Sequence, residues 1–177
     1  MIEKIKKYRM SISKVFPAKH PNAGQYTYFR EAIESALRDY SVVYDDVYKI
    51  DERKIITLMP KYHTIRANYF LWKKRVDEVK EGKAIITVFE WTGKPYRNKQ
   101  KNIFIFTQSS YMDVQKLYFF KNNLYFPRVE SKNEILSIMP TKLAHNDGLT
   151  LDEFEGWFRK YDLSEPMAII HFTRFRY

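Results

Sequence analysis

The chain has 177 residues, with 31 Lys+Arg against 21 Asp+Glu, so its formal net charge is +10. It contains no cysteine, which excludes disulfides, thiolate nucleophiles and cysteine-based zinc or iron–sulfur sites. With 45% hydrophobic and 17% aromatic residues, we expect a globular protein with one domain over 1–177. The positive charge favours an anionic partner such as nucleic acid, although it also serves solubility.

Several other classes are also disfavoured. Met1 to Lys7 contain no apolar run typical of a secretion signal, so a cytoplasmic protein is expected. The most apolar stretch, Ala84 to Trp91, is far shorter than the roughly 20 residues that span a bilayer, and we predict no membrane partner. The five glycines are too scattered for a dinucleotide fingerprint or a phosphate loop, and we predict no cofactor.

The first third of the chain predicts two strands and a helix. Alternation from Tyr8 to Phe16 predicts a strand that Pro17 ends. Thr27 can cap a helix that runs to about Tyr40, since apolar residues recur there at helical spacing. A second strand is predicted over Lys54 to Met59.

In the middle, Asn68 can cap a helix through Glu81 that has one apolar face. Lys83 to Thr92 has β-branched and aromatic residues on both faces, so we expect a central strand covered on both sides. After a turn, Asn102 to Thr107 predicts its hairpin partner. The Leu117 to Val129 segment is expected to include a further strand.

Near the end of the chain, Thr150 and Glu153 have the spacing of a capping box at the start of a third helix. Met167 to Tyr177 is predicted to be the closing strand. Strands interleaved with helices predict a mixed α+β fold, with a curved sheet or small β-barrel and about three flanking helices.

The hairpin loop that connects the central strand to its partner is basic. Cations can hold phosphates and aromatic rings can stack on unpaired bases, so this loop is a candidate RNA contact. A solvated hairpin tip explains the same charges, and Trp91 also fits a core position. The candidate substrate-binding residues here are Trp91, Lys94, Tyr96 and Arg97.

The segment from Pro60 to Arg66 has the spacing Lys-x-x-Thr-x-Arg just before a helix. This segment resembles the signature of the ASCH domains, which share a PUA-like β-barrel and are associated with RNA. Gly82 to Trp91 resembles the barrel strand that follows the signature, and Gly148 to Phe158 with Pro166 to Tyr177 resembles the late helix and last strand. Relative to that pattern, Met1 to Lys54 and Thr107 to Ser137 are additions.

The resemblance implies an activity as well as a fold. Bacterial acetylcytidine amidohydrolases of this family remove an acetyl group from a modified cytidine with Lys, Thr and Glu. Lys61 and Thr64 match the first two, and Asp147 falls where the family has Glu, one methylene shorter. In this scheme desolvation and the positive charge of Arg66 make Lys61 neutral, so that Lys61 can deprotonate Thr64. Asp147 orients the attacking group or protonates the leaving nitrogen. Arg66 or backbone N–H groups face the oxyanion.

Alternatives stay open for each of these residues. Residues three apart in a strand point to opposite faces, so Lys61 and Thr64 converge only if the chain turns between them. Thr64 and Arg66 also fit one face of an ordinary strand. Asp147 followed by Gly148 is a turn signal in its own right. Glu90 is an alternative to Asp147 as the carboxylate of the site.

The histidines predict no metal site, because none of them has metal-ligand spacing, although His63, His145 and Asp147 could meet in space. Three functional hypotheses follow: an RNA- or nucleoside-binding amidohydrolase, an RNA-binding module without catalysis, and an interaction protein with a vestigial cleft. The last predicts an exposed apolar patch among the aromatics of Leu117 to Phe126.

Overall fold

The computed structural model describes residues 5–40, 59–132 and 134–177, and the strand predicted over Lys54 to Met59 lies almost wholly outside these ranges. In chain order the elements are β1 (Lys6–Ser11), α1 (Phe29–Tyr40), β2 (His63–Arg66), α2 (Tyr69–Lys80), β3 (Ala84–Trp91), β4 (Gln100–Phe106), β5 (Asp113–Phe119), β6 (Pro127–Ser131), β7 (Glu134–Ser137), α3 (Pro140–Asn146), α4 (Leu151–Phe158) and β8 (Met167–His171). The fold class is α+β, as predicted.

The strands form two sheets, with orders β1-β3-β4 and β2-β8-β5-β6-β7. In the first sheet β1 is parallel to β3 and β4 is antiparallel to it, so β3 is the central strand, as its composition predicts. All pairs of the second sheet are antiparallel. Across the described ranges these strands do not close into the expected barrel.

One hydrophobic core joins the two sheets. Helix α2 packs against β3 of the first sheet and against β5 and β8 of the second. Its inward residues Trp72, Val76 and Val79 are buried, whereas its outward face carries charge. The helix begins where Asn68 accepts a hydrogen bond from the Leu71 amide (3.1 Å), so the predicted cap is confirmed.

The remaining helix predictions are met with one addition. Thr150 and Glu153 form the predicted capping box of α4, and Thr27 Oγ1 accepts from the Phe29 amide at the start of α1. Helix α3 was not predicted, so the described chain has four helices rather than about three. Within the described ranges, no helix is long and apolar enough to cross a bilayer.

One strand prediction is corrected. The first strand ends at Ser11 rather than Phe16, because its parallel pairing with β3 ends at Ser11 and Phe89, and Val15 bridges Tyr26 instead. The Leu117 to Val129 segment belongs to two strands, β5 and β6, which pair with each other across a turn.

Candidate functional site

Lys61 lies in a short connection just before β2, held by backbone contacts to two helices. Its amide donates to the carbonyl of Ala32 in α1 (3.0 Å), and the next amide, that of Tyr62, donates to Asn146 O at the end of α3 (2.9 Å). Lys61 also forms an isolated antiparallel bridge with Asp147. The lysine side chain is thereby directed into the protein, where it is buried.

The Lys61 ammonium group is surrounded by favourable partners. Nζ donates to Asp147 Oδ1 (2.6 Å) and to the Asp147 carbonyl (2.5 Å). It also lies 4.1 Å from the ring centroid of Phe29, the first residue of α1. Sequence patterns carry no signal for this contact, because Phe29 belongs to a helix 32 positions earlier in the chain (61 − 29).

Burial lowers the pKa of Lys61 below its ordinary value of 10.5, and the charge and hydrogen bond of Asp147 act in the opposite direction. The positive charge of Arg66 lowers this pKa further. A lysine in this setting loses its proton more readily than one in water, which is the condition for action as a general base.

Asp147 has two structural roles at once. It is the C-cap of α3, and its amide donates to Ala144 O (3.0 Å), so the turn interpretation is correct. Its carboxylate nevertheless faces Lys61. Gly148 follows at φ +71°, and a Cβ on it would lie 3.1 Å from Lys61 Cβ, so the turn and the lysine stem are in close contact.

Thr64 and Arg66 come from β2 and line the same small cavity as Lys61 and Asp147. β2 begins only at His63, after the isolated bridge at Lys61, so Lys61 and Thr64 do not belong to one continuous strand and can line the same cavity. Arg66 donates to the Ser11 carbonyl of β1. Among the described residues, its buried Nε has no hydrogen-bond partner.

The cavity beside Lys61 has a volume of about 30 Å³, and a larger groove of about 420 Å³ adjoins it. Ser13 and Phe29 line both spaces, and Glu90 lines only the groove. The carboxylate that pairs with Lys61 is therefore Asp147 and not its rival. The other polar residues of the groove include Lys14, Thr27, Arg30, Glu31 and Lys101.

The predicted RNA contacts of the hairpin loop lie apart from this site. Lys94, Tyr96 and Arg97 are exposed and line neither the cavity nor the groove. Trp91 is half-buried and its ring lies 5.3 Å from that of Tyr96. The structure does not bring these four residues to Lys61, and their role in RNA binding stays a prediction.

A buried polar cluster lies behind Asp147. The sequence suggests that His63 could approach Asp147, but it gives no signal for the other two members, Tyr177 and Asn146. His63 Nδ1 lies 3.6 Å from Asp147 Oδ1, and its Nε2 hydrogen-bonds the Tyr177 hydroxyl (2.9 Å), which also accepts from Asn146 (2.9 Å). Burial lowers the pKa of His63, and the charge of Asp147 opposes that shift. Among the described residues, His63 Nδ1 forms no hydrogen bond, so His63 is a buried imidazole beside the carboxylate whose charged form burial disfavours.

In the described ranges, no group of three or more His, Asp or Glu side chains converges in the way that a metal ion would require. His145, proposed to approach His63 and Asp147, is exposed on α3. His171 is buried beside His63, with ring centroids 5.7 Å apart.

The segment from Leu117 to Phe126 carries exposed aromatic side chains, namely Phe120, Tyr125 and Phe126. They lie in the segment where the interaction-protein hypothesis expects an apolar patch, and that function stays a prediction.

Comparison with known proteins adds no relative to this description: no family model, no curated protein and no solved structure matches the chain.

Proposed function

We propose that this protein binds RNA or a modified nucleoside in the 420 Å³ groove, and that Lys61, Thr64 and Asp147 hydrolyse the amide of an acylated cytidine at its inner end. The observation that carries the proposal is the buried 2.6 Å contact between Lys61 Nζ and Asp147 Oδ1, in a cavity that Thr64 also lines. The groove volume lies in the range of small-molecule sites, roughly 300–1,000 Å³.

In terms of family, we propose an ASCH-type protein with a PUA-like fold. The support is the Lys-x-x-Thr-x-Arg segment together with its order relative to β3, α4 and β8. If this chain is related to the ASCH domains, the strands that form one closed barrel in that family form two separate sheets here.

The proposed chemistry follows from the hydrogen bonds of Lys61. Two of its N–H groups donate to Asp147, so the third position on nitrogen is a lone pair when the amine is neutral. That lone pair takes the hydroxyl proton of Thr64 while Oγ1 attacks the acyl carbon. The Arg66 Nε–H, which has no partner among the described residues, donates to the developing oxyanion.

The remaining steps return the site to its starting state. The proton held by Lys61 passes to the cytosine nitrogen as the C–N bond breaks, which leaves cytidine and an acyl ester on Thr64. Lys61 then deprotonates a water molecule that attacks the ester, and the carboxylic acid leaves as Thr64 recovers its proton. Asp147 holds Lys61 in position throughout.

A second candidate function is a binding module without catalysis. The observation that favours it is the 30 Å³ volume beside Thr64, which is enough for about one water molecule but not for an acyl group. Under this proposal Lys61 and Asp147 only shape the inner end of the groove, and hydrolysis is absent.

Incubation with N4-acetylcytidine separates the two functions. The amidohydrolase predicts cytidine release by the unchanged protein, little release by Lys61→Ala, and a loss of about a thousandfold or more in Thr64→Val, which removes the hydroxyl but keeps the shape. If the unchanged protein releases no more cytidine than Lys61→Ala does, the proposal of catalysis is rejected. Nucleoside or RNA binding that persists in that case, and weakens steeply with salt, supports the binding module.

A further inference from the structure

A strip of aromatic and cationic side chains lies on one face of β5 and β6. Along these strands Leu117, Phe119 and Val129 point into the core, whereas Lys116, Tyr118 and Arg128 point outward. The members of this strip are Tyr69, Phe70, Lys116, Tyr118, Phe120 and Arg128. None of them lines the Lys61 cavity or the groove, so the strip is a separate surface.

Lys116 is at the centre of three rings in one half of the strip. Its Nζ lies 5.4 Å from the ring centroids of both Tyr69 and Phe70, and 5.0 Å from that of Tyr118. Phe70 is 67% exposed although it is a large apolar side chain in the first turn of α2. Its ring is therefore open to a partner from solvent.

Arg128 extends the strip across the sheet. It is paired with Tyr118 in the β5–β6 register, and its guanidinium carbon lies 4.0 Å from the ring centroid of Phe120. Lys121 Nζ approaches the same ring to 5.6 Å, and Phe120 is 43% exposed. The strip thus alternates flat rings with positive charges from α2 to the β5–β6 turn.

The charge of the surface selects the kind of partner. Lys116 and Tyr118 both approach Glu130, which accepts from the Tyr118 hydroxyl (3.1 Å) and lies 3.9 Å from Lys116 Nζ. Lys121 and Arg128 add two further positive charges beside Phe120. A protein partner would have to desolvate Lys116 at the centre of its interface, where lysine is normally depleted. An unpaired polynucleotide instead supplies phosphates for the cations and flat bases for the rings.

We propose that this strip is a second nucleic-acid surface, which binds single-stranded RNA by stacking bases on Phe70 and Phe120 while Lys116 and Arg128 hold the backbone. The proposal does not depend on amide hydrolysis, since no strip residue contacts the Lys61 site.

The test uses the full chain and a fluorescein-labelled, unstructured RNA of about 12 nucleotides, followed by anisotropy. Because loss of one base stack weakens binding about 5- to 150-fold, Phe70→Ala and Phe120→Ala are each expected to raise Kd by that factor. Arg128→Gln should reduce the slope of log K against log salt by about 0.7. Duplex RNA of the same sequence should compete poorly, because its bases are already paired.

Tyr111→Ala is the matched control. Tyr111 is 52% exposed and also has an arginine against its ring, with Arg174 at 4.0 Å, but it lies outside the strip. The Tyr111→Ala variant should bind RNA with the same Kd as the unchanged protein. The proposal is overturned if both Phe variants keep full affinity, if Tyr111→Ala loses as much, if duplex competes equally, or if the Phe variants change only the oligomeric state.

The two proposals fail separately. Phe70→Ala and Phe120→Ala should hydrolyse free N4-acetylcytidine as the unchanged protein does, because neither residue lines the Lys61 cavity or the groove. An absence of hydrolysis therefore leaves the anisotropy test intact, and the reverse holds as well.

Discussion

Lys61 Nζ and Asp147 Oδ1 approach to 2.6 Å although the two side chains are only 1% and 5% exposed. Removing two charges from water is costly, and their attraction offsets that cost only when the remaining donors are also satisfied. Here the Asp147 carbonyl and the Phe29 ring supply those extra contacts. The pair is therefore well compensated as long as both members are present.

Replacement of one partner is expected to be far worse than replacement of both. Asp147→Asn keeps the shape but leaves the Lys61 charge buried without a counter-charge, so we expect a loss of about 3–5 kcal/mol in the free energy of unfolding. The double variant Lys61→Met/Asp147→Asn should be less destabilised than Asp147→Asn alone. Urea unfolding at neutral pH measures both.

The exposed pair of Lys73 and Asp77 on α2 is the control, with a similar separation of 2.5 Å. Asp77→Asn should cost at most about 0.5 kcal/mol, since solvent screens exposed pairs. Equal losses in Asp77→Asn and Asp147→Asn would contradict the compensated-pair description.

If Lys61 is the general base, the rate should follow its deprotonation. We expect kcat/KM for N4-acetylcytidine to rise with pH and to level off below pH 10.5, because burial lowers the pKa of Lys61. Asp147 raises that pKa, so the midpoint should move to lower pH in Asp147→Asn, whatever its maximal rate. A midpoint that stays fixed or moves upward would remove Lys61 from this role.

Gly148 allows a matched test of the contact behind Lys61. Gly148→Ala introduces a side chain at φ +71° and crowds Lys61 Cβ at 3.1 Å, whereas Gly24→Ala has similar backbone strain at φ +82° with no atom within 4 Å. Each should lose about 1–2 kcal/mol from strain. Only Gly148→Ala should lose more stability than this in thermal unfolding, and only this variant should also slow hydrolysis. Equal stability and equal hydrolysis rates in the two variants would show that the contact between residue 148 and Lys61 has no effect.

The buried side chain of His171 is expected to make the stability of the folded protein sensitive to acid. Burial lowers the pKa of His171 well below 6.5, and neither ring nitrogen has a partner among the described residues. The unfolded chain then binds more protons than the folded one, so stability is complete above pH 6.5 and falls as pH decreases below it, by up to about 1.4 kcal/mol per pH unit.

His171→Phe should make the unfolding free energy less dependent on pH between neutrality and the acid range, because the buried proton acceptor is gone. Parallel curves for His171→Phe and the unchanged protein would assign the acid sensitivity to other groups.

Elements with strong local signals were predicted well. Asn68 and the Thr150–Glu153 pair satisfy amides within three residues of themselves, so these helix starts can be read from short segments. Helix α3 has no side-chain cap at Met139 and only seven residues, which explains why it was missed. The Leu117 to Val129 segment includes strand structure as expected, and the pairing of β5 with β6 shows that it contributes to two strands.

The sequence by itself determined the absence of cysteine chemistry, the positive charge, the α+β class and the candidate residues Lys61, Thr64, Arg66 and Asp147. Only the tertiary structure decided that Asp147 rather than Glu90 meets Lys61, and that Phe29 and His63 complete the surroundings. Local patterns report hydrogen bonds between near neighbours, whereas Lys61 and Asp147 are 86 positions apart. Their contact exists because α1, the end of α3 and the start of β2 pack together, and burial that depends on packing also sets the pKa values.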